Sequence, residues 1–298
     1  MVLRTVLFLI TNLAVVATIS LLLWLGVATG WLPPDLPLIP LLIGSFGWGV
    51  VGSWISLQVS RQSAIQAMGV QLVDGREGAS ALWLVETVAR LANKAELPMP
   101  EVGVYASPEW NAFATGASPE GALVAVSSGI LEGMPQAELE AVLAHEMSHV
   151  GNGDMVTMAL LQGVINAFVM FLARAIALLL PRRSDDQGRQ PPPISALIWP
   201  LELLLGIAGS LVTAWFSRHR EFRADAGAAR LTAAGAMVGA LQLLGQTQDL
   251  LEPRDGTALA SFKIAGPPSL LGLFASHPPL EQRIAALQEL QSANPSTP

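Results

Sequence analysis

The sequence contains no cysteine, one tyrosine and four histidines in 298 residues, and only 13% of it is charged. The lack of cysteine excludes a thiol nucleophile, a disulfide framework and any thiolate-bound metal. The shortage of charge says more. Ordinary globular domains carry about 25% Asp, Glu, Lys and Arg, whereas here apolar residues reach 52% and the mean hydropathy is +0.50, a balance that reads as a membrane protein. The charges present sum to −7, with an isoelectric point near 5.1. No basic face is left to neutralise phosphates, so nucleic acid is excluded as a partner.

The apolar residues fall into two pairs of long runs. Between Arg4 and Arg61 the only charge is Asp35, and the break Gly30-Trp31-Leu32-Pro33-Pro34-Asp35 divides that stretch into residues 5–28 and 36–60. Each is longer than the roughly 20 residues that a helix needs to cross a hydrocarbon core. The first is too long for a signal peptide and a second span follows at once, so it reads as an uncleaved anchor. The second pair, residues 155–180 and 194–217, carries one charge in each run, Arg174 and Glu202, and is joined by a polar, Pro-rich segment at 181–193. A lone charge in hydrocarbon is costly, and these two lie at similar depth from the connecting loop; pairing is one expectation, with Arg174 reaching out to the headgroups as the alternative.

Between the spans the composition turns soluble. Residues 79–96 predict an amphipathic helix, 102–106 and 123–126 short strands, and Asn111-Ala112-Phe113-Ala114-Thr115-Gly116 a third strand or sheet edge. Next comes His145-Glu146-Met147-Ser148-His149, an H-E-x-x-H run expected by chance on the order of 0.003 times in a chain of this composition. Pro135, Glu138 and Glu140, and apolar residues from Leu139 to Val150 at helical spacing, predict a helix that ends at Gly151-Asn152-Gly153. On a helix, His145 and His149 project from one face and can reach a single ion, with Glu146 placed as a base beside it.

A hydrolytic zinc takes three protein ligands plus water, and no third histidine follows at the spacing a continued motif requires. The expected third ligand is Glu221, with Asp225 four residues on placed to accept the free ring N–H of a liganding histidine. Glu202 is the rival and sits inside a span. His149 precedes the third span and Glu221 follows the fourth, so they can meet because a hairpin makes an even number of crossings. The domain organisation expected is a transmembrane hairpin at 1–60, a first half of a catalytic domain at 61–154, a second hairpin at 155–217 and a second half at 218–298. The fold class is a mainly α membrane protein: four transmembrane helices plus an α+β zincin-like metalloprotease domain with a small sheet.

In these motifs, with His277-Pro278-Pro279 near the C-terminus and Asn152-Gly153-Asp154 after the second histidine, most of the chain resembles the HtpX family. These are membrane-bound zinc metalloproteases of the gluzincin clan, related to the CAAX prenyl proteases. The resemblance implies one Zn²⁺ per chain on His145, His149 and Glu221, and Glu146 as general base. It also implies endoproteolysis of misfolded or unassembled membrane proteins, a quality-control function, at a cytosolic active site in the bacterial inner membrane. The arginines agree with that orientation: Arg4, Arg61, Arg76, Arg218, Arg220, Arg223 and Arg230 flank the spans on the catalytic side, against Arg182, Arg183 and Arg189 in the second loop.

His277, held before two prolines, is a candidate donor to the oxyanion, with a capping role as the alternative. Asn111 and Ala112 would open a strand edge that pairs with an extended substrate. Tyr105 reads as core. A silent scaffold or chaperone, or a transporter, stays open as a competing class, and the oligomeric state is undetermined.

Overall fold

The computed structural model describes residues 2–180, 193–250 and 277–293. The polar connection at 181–192, the Gly/Pro-containing stretch at 252–269 and the tail from 294 lie outside the described residues. The chain divides into two compact units, one of Met1–Ser56 with Ala159–Thr213 and the other of Leu57–Met158 with Ala214–Pro298.

The first unit is helical. It contains α1 (Val2–Ala28) and most of α2 (Leu38–Met68), α6 (Asp154–Leu179) and α7 (Ile194–Leu231). Three of these, α2, α6 and α7, are long and apolar enough to cross a membrane, and α1 is apolar over Leu13–Ala28. Outward-facing Trp199, Leu203, Leu204 and Ile207 on α7 are exposed, as lipid-facing residues would be. Inside, Leu38, Leu42 and Phe46 of α2 pack on Ala167, Phe171 and Ala175 of α6, with Val15, Val16 and Ile19 of α1 beside them. The α2–α6 crossing is tight because two glycines meet there. A Cβ at Gly49 would fall 2.5 Å from the Gly163 carbonyl oxygen, and one at Gly163 would fall 2.5 Å from Ser53 Oγ. Small residues at a helix crossing let the backbones approach, which supplies packing where no hydrophobic drive exists. The expected Arg174–Glu202 pair is present, Nη1 to Oε1 at 2.6 Å, and the same Nη1 donates to the Met170 carbonyl at 3.0 Å.

The second unit holds a four-stranded sheet in the order β1 (Gln71–Leu72), β2 (Glu101–Tyr105), β4 (Leu123–Ser127) and β3 (Ala112–Thr115). β2 and β4 run parallel, Val102 opposite Val124, while β1 and β3 are antiparallel to their neighbours. Leu123, Ala125 and Tyr105 pack on one face with Phe113. Val102, Ala112, Val124 and Val126 pack on the other against α3 (Ala79–Lys94) and α5 (Gln136–Asn152). This is the period-2 alternation of a sheet covered on both sides. β3 is an edge strand, as the sequence suggested.

Helix α5 follows a short α4 (Ser128–Gly133) and ends at Gly153, whose φ of 62° is the left-handed cap conformation that glycine adopts without strain. α6 begins at the next residue. α7 stops at Leu231 and α8 (Ala234–Leu250) starts anew. Both the N–H and the hydroxyl of Thr232 donate to the Ala228 carbonyl, which closes the last turn. α8 and α9 (Leu280–Ala293) complete the core through Met237, Leu241, Leu244 and Leu287.

Candidate metal centre

The site is built where α5 meets the last three turns of α7. The two helices touch at Gly227, where a Cβ would stand 2.4 Å from Ser148 Oγ; any larger residue would push the helices apart and carry Glu221 and Asp225 away from α5. His145 and His149, one turn apart, point their Nε2 atoms at each other at 3.1 Å. Glu221, 0% exposed, enters between them: Oε2 is 3.4 Å from His145 Nε2 and Oε1 is 3.3 Å from His149 Nε2. The residues expected to share an ion are therefore brought together, their candidate ligand atoms all within 4.8 Å of one another.

The far side of each imidazole faces a carboxylate. Asp225, one turn after Glu221, lies 2.9 Å from His145 Nδ1, close but poorly aligned for a hydrogen bond. Asp154, the first residue after the Gly153 turn, lies 2.7 Å from His149 Nδ1. Carboxylates at Nδ1 fix the tautomer with the proton on Nδ1 and leave the Nε2 lone pairs facing inward. Glu221 Oε1 is buried and has no hydrogen-bond partner among the described residues. Two imidazole nitrogens and the unpartnered Oε1 of Glu221 thus converge, an arrangement that a proton or a cation resolves. Two imidazole nitrogens and a carboxylate form a donor set of the kind that holds a divalent metal in a hydrolytic site.

Two further groups complete the cluster. Arg283 of α9 is buried and grips Asp225 with two bonds, Nε to Oδ2 at 2.8 Å and Nη2 to Oδ1 at 2.6 Å; its Nη1 stands 3.8 Å from Glu221 Oε2. His277, just before α9, places Nδ1 2.7 Å from Glu221 Oε2. Charge and burial oppose each other throughout. Burial alone would push the Glu221 carboxyl up, but His277, His145 and His149 around it hold it well below the usual range. Burial likewise opposes ionisation of Asp225, yet Arg283 and His145 hold its pKa down to about 2. For His145, burial disfavours the cation, and Asp225 and Glu221 outweigh it to raise the imidazole to about 9.

Glu146 lies next to His145 on α5 and is buried. Asn111 leads into β3: its N–H donates to Ser127 Oγ and its carbonyl accepts from the Ser127 N–H. Tyr105 is buried in the sheet's second core, tilted on Phe113 at 5.8 Å. The sequence reading did not assign Asp154 or Arg283 a role. The signal for Asp154 was its place directly after the Gly153 turn. Arg283 had only a polar residue's position on the last helix to mark it.

The family model for peptidase family M48 matches residues 79–291. The chain belongs to that family. Its curated relatives narrow the branch of M48. It is 47% identical to the protease HtpX of Vibrio vulnificus over 289 residues, 96% of this chain and 99% of the relative. It is 48% identical to a protease HtpX homolog of Thiobacillus denitrificans, over 97% of this chain and 99% of that one. Among solved structures, the crystal structure of S. mikatae Ste24p superimposes with a TM-score of 0.55, covering 92% of this chain and 67% of that one at 19% identity, a likeness of fold. This M48 member is thus a membrane metalloprotease, and the His145–His149–Glu221 cluster is where its metal can be held.

Proposed function

We propose that this M48 protease hydrolyses peptide bonds in misfolded or unassembled membrane proteins, using one zinc ion held by His145, His149 and Glu221 and Glu146 as general base. The observation that carries the reading is the convergence of His145, His149 and Glu221, all buried, with Glu221 Oε1 unpartnered among the described residues and Glu146 next to His145 on the same helix. Two imidazoles and a carboxylate form a donor set that suits zinc. When bound, the ion supplies Lewis acidity, lowering the pKa of a water to about 7 and polarising the scissile carbonyl. Glu146 takes the proton of the attacking water and returns it to the departing amine. His277 is proposed as a donor to the developing oxyanion, oriented through its Nδ1 contact with Glu221. Asn111 and Ala112 open the edge strand, which is suited to pairing with an extended substrate main chain; such pairing ignores side-chain identity and supports broad specificity. Placement in a bacterial inner membrane with a cytosolic catalytic face is supported by the arginine distribution.

The test is casein cleavage by the purified detergent-solubilised protein, with and without a chelator, and by Glu146→Gln. Cleavage is expected to need the metal and to vanish in Glu146→Gln while one metal per chain stays bound. Full activity in that variant would refute the role given to Glu146.

A further inference from the structure

The Arg174–Glu202 pair plays no part in that chemistry. It lies in the unit of apolar helices, yet neither side chain is fully covered: they are 32% and 31% exposed. Charged groups in spans are ordinarily paired and turned toward a bundle interior or a cavity, because exposure to hydrocarbon is expensive. Here the pair borders a cavity of about 480 Å³ between α2, α6 and α7. Asn166 lines the same cavity and continues a polar stripe along α6, accepting from Gln162 Nε2 at 2.8 Å, with Thr213 Oγ1 donating to Gln162 Oε1 at 3.3 Å. On the walls, Gly52 and Gly206 have nothing among the described residues within 4 Å of where a Cβ would stand.

These features select an occupant. A guanidinium and a carboxylate side by side offer a donor and an acceptor together, which suits a neutral side chain that both donates and accepts. A charged ligand would satisfy one partner and repel the other, so a phosphate headgroup would be opposed by Glu202. The volume matches about one turn of helix, roughly 500 Å³ for a cylinder 10–12 Å wide and 5.4 Å high. Open glycines let a second backbone approach.

We propose that this cavity docks a transmembrane helix of a substrate through an uncompensated polar side chain such as Asn or Gln. The inference rests on the reading that unassembled membrane proteins are the substrates, and deepens it: a helix whose polar residue has lost its native partner finds one here.

The experiment uses the full-length protein in proteoliposomes and two single-span reporters with one identical cleavable segment. One span is Leu/Ala throughout, and the other carries a central Asn. The wild type should cleave the Asn reporter with a KM about threefold to thirtyfold lower, the range expected for one interhelical hydrogen bond, at similar kcat. Gly206→Leu and Gly52→Leu, which fill the cavity, should bring the KM ratio to about one. Gly47→Leu, on α2 with open space but outside the cavity, should keep the wild-type ratio. Equal KM values for both reporters in the wild type, with casein still cleaved, overturn the docking site and leave the catalytic reading intact. Failure of the wild type to cleave casein overturns both. A ratio that survives both filling variants overturns the docking site. So does a phospholipid that co-purifies with the wild type and is lost in Gly206→Leu, if the two reporters are cleaved equally.

Discussion

Replacing Arg283 by Ala removes the only group that bonds both oxygens of Asp225 among the described residues. Asp225 is 2% exposed, and its pKa is held at about 2 against an ordinary 3.8. That difference corresponds to about 2.5 kcal/mol in favour of the ionised form, shared between Arg283 and His145. Stranding one member of a buried pair costs about 3–5 kcal/mol, so Arg283→Ala should destabilise the protein by about 3 kcal/mol. The sign with pH follows from the depressed pKa. The contribution of Asp225 is fully present above pH 4 and is lost as pH falls through about 2, so the deficit of the variant should be largest at neutral pH. Because Asp225 faces His145 Nδ1, metal affinity should also fall by about 10–100-fold. The assay is unfolding in mixed micelles alongside a chelator competition for the metal. The paired variant Asp225→Asn/Arg283→Met, which removes both charges, should regain about 2 kcal/mol relative to the sum of the single changes. A loss under about 1 kcal/mol for Arg283→Ala, with unchanged metal affinity, would refute the reasoning.

Asp154→Asn keeps the shape of the His149 contact but not its charge, and metal affinity measured by the same competition should fall by about 10-fold or more. His277→Ala should lower kcat by about 10²–10³ with little change in KM if His277 serves the oxyanion; a pure KM effect in steady-state cleavage would assign it elsewhere. In protein stripped by a chelator, His145 with its pKa near 9 carries a proton at pH 7. That proton stabilises the stripped form below the unfolded value near 6.5, and the gain is lost as pH rises through about 9. Metal uptake must displace it, so affinity should rise about tenfold per pH unit from 7 toward 9 and then level off, as read by competition titration.

The core of this site was legible because its chemistry is local. His145, Glu146 and His149 lie within one helical turn, and the i, i+4 rule alone places both imidazoles on one face. Glu221 and Asp225 were reachable because they repeat that spacing on a second helix, and the hairpin argument returns them to the first. A pair of Arg174 and Glu202 was one of two arrangements open in the sequence, because an apolar span leaves each charge few options. What the sequence hid depends on how distant segments fold together. Asp154 meets His149 only because Gly153 adopts a left-handed cap, and Arg283 reaches Asp225 across 58 residues of sequence. The cavity beside Arg174 has no signature at all: it exists because α2, α6 and α7 leave space where Gly52 and Gly206 carry no side chain.

The most direct test of the account is X-ray absorption spectroscopy on full-length protein loaded with one equivalent of zinc. Two imidazole nitrogens and light oxygen scatterers at about 2.0–2.2 Å are expected, one imidazole signal disappearing in His149→Ala. A spectrum with no imidazole scattering, or one unchanged in His149→Ala and Glu221→Gln alike, would contradict the assignment of the metal to this cluster.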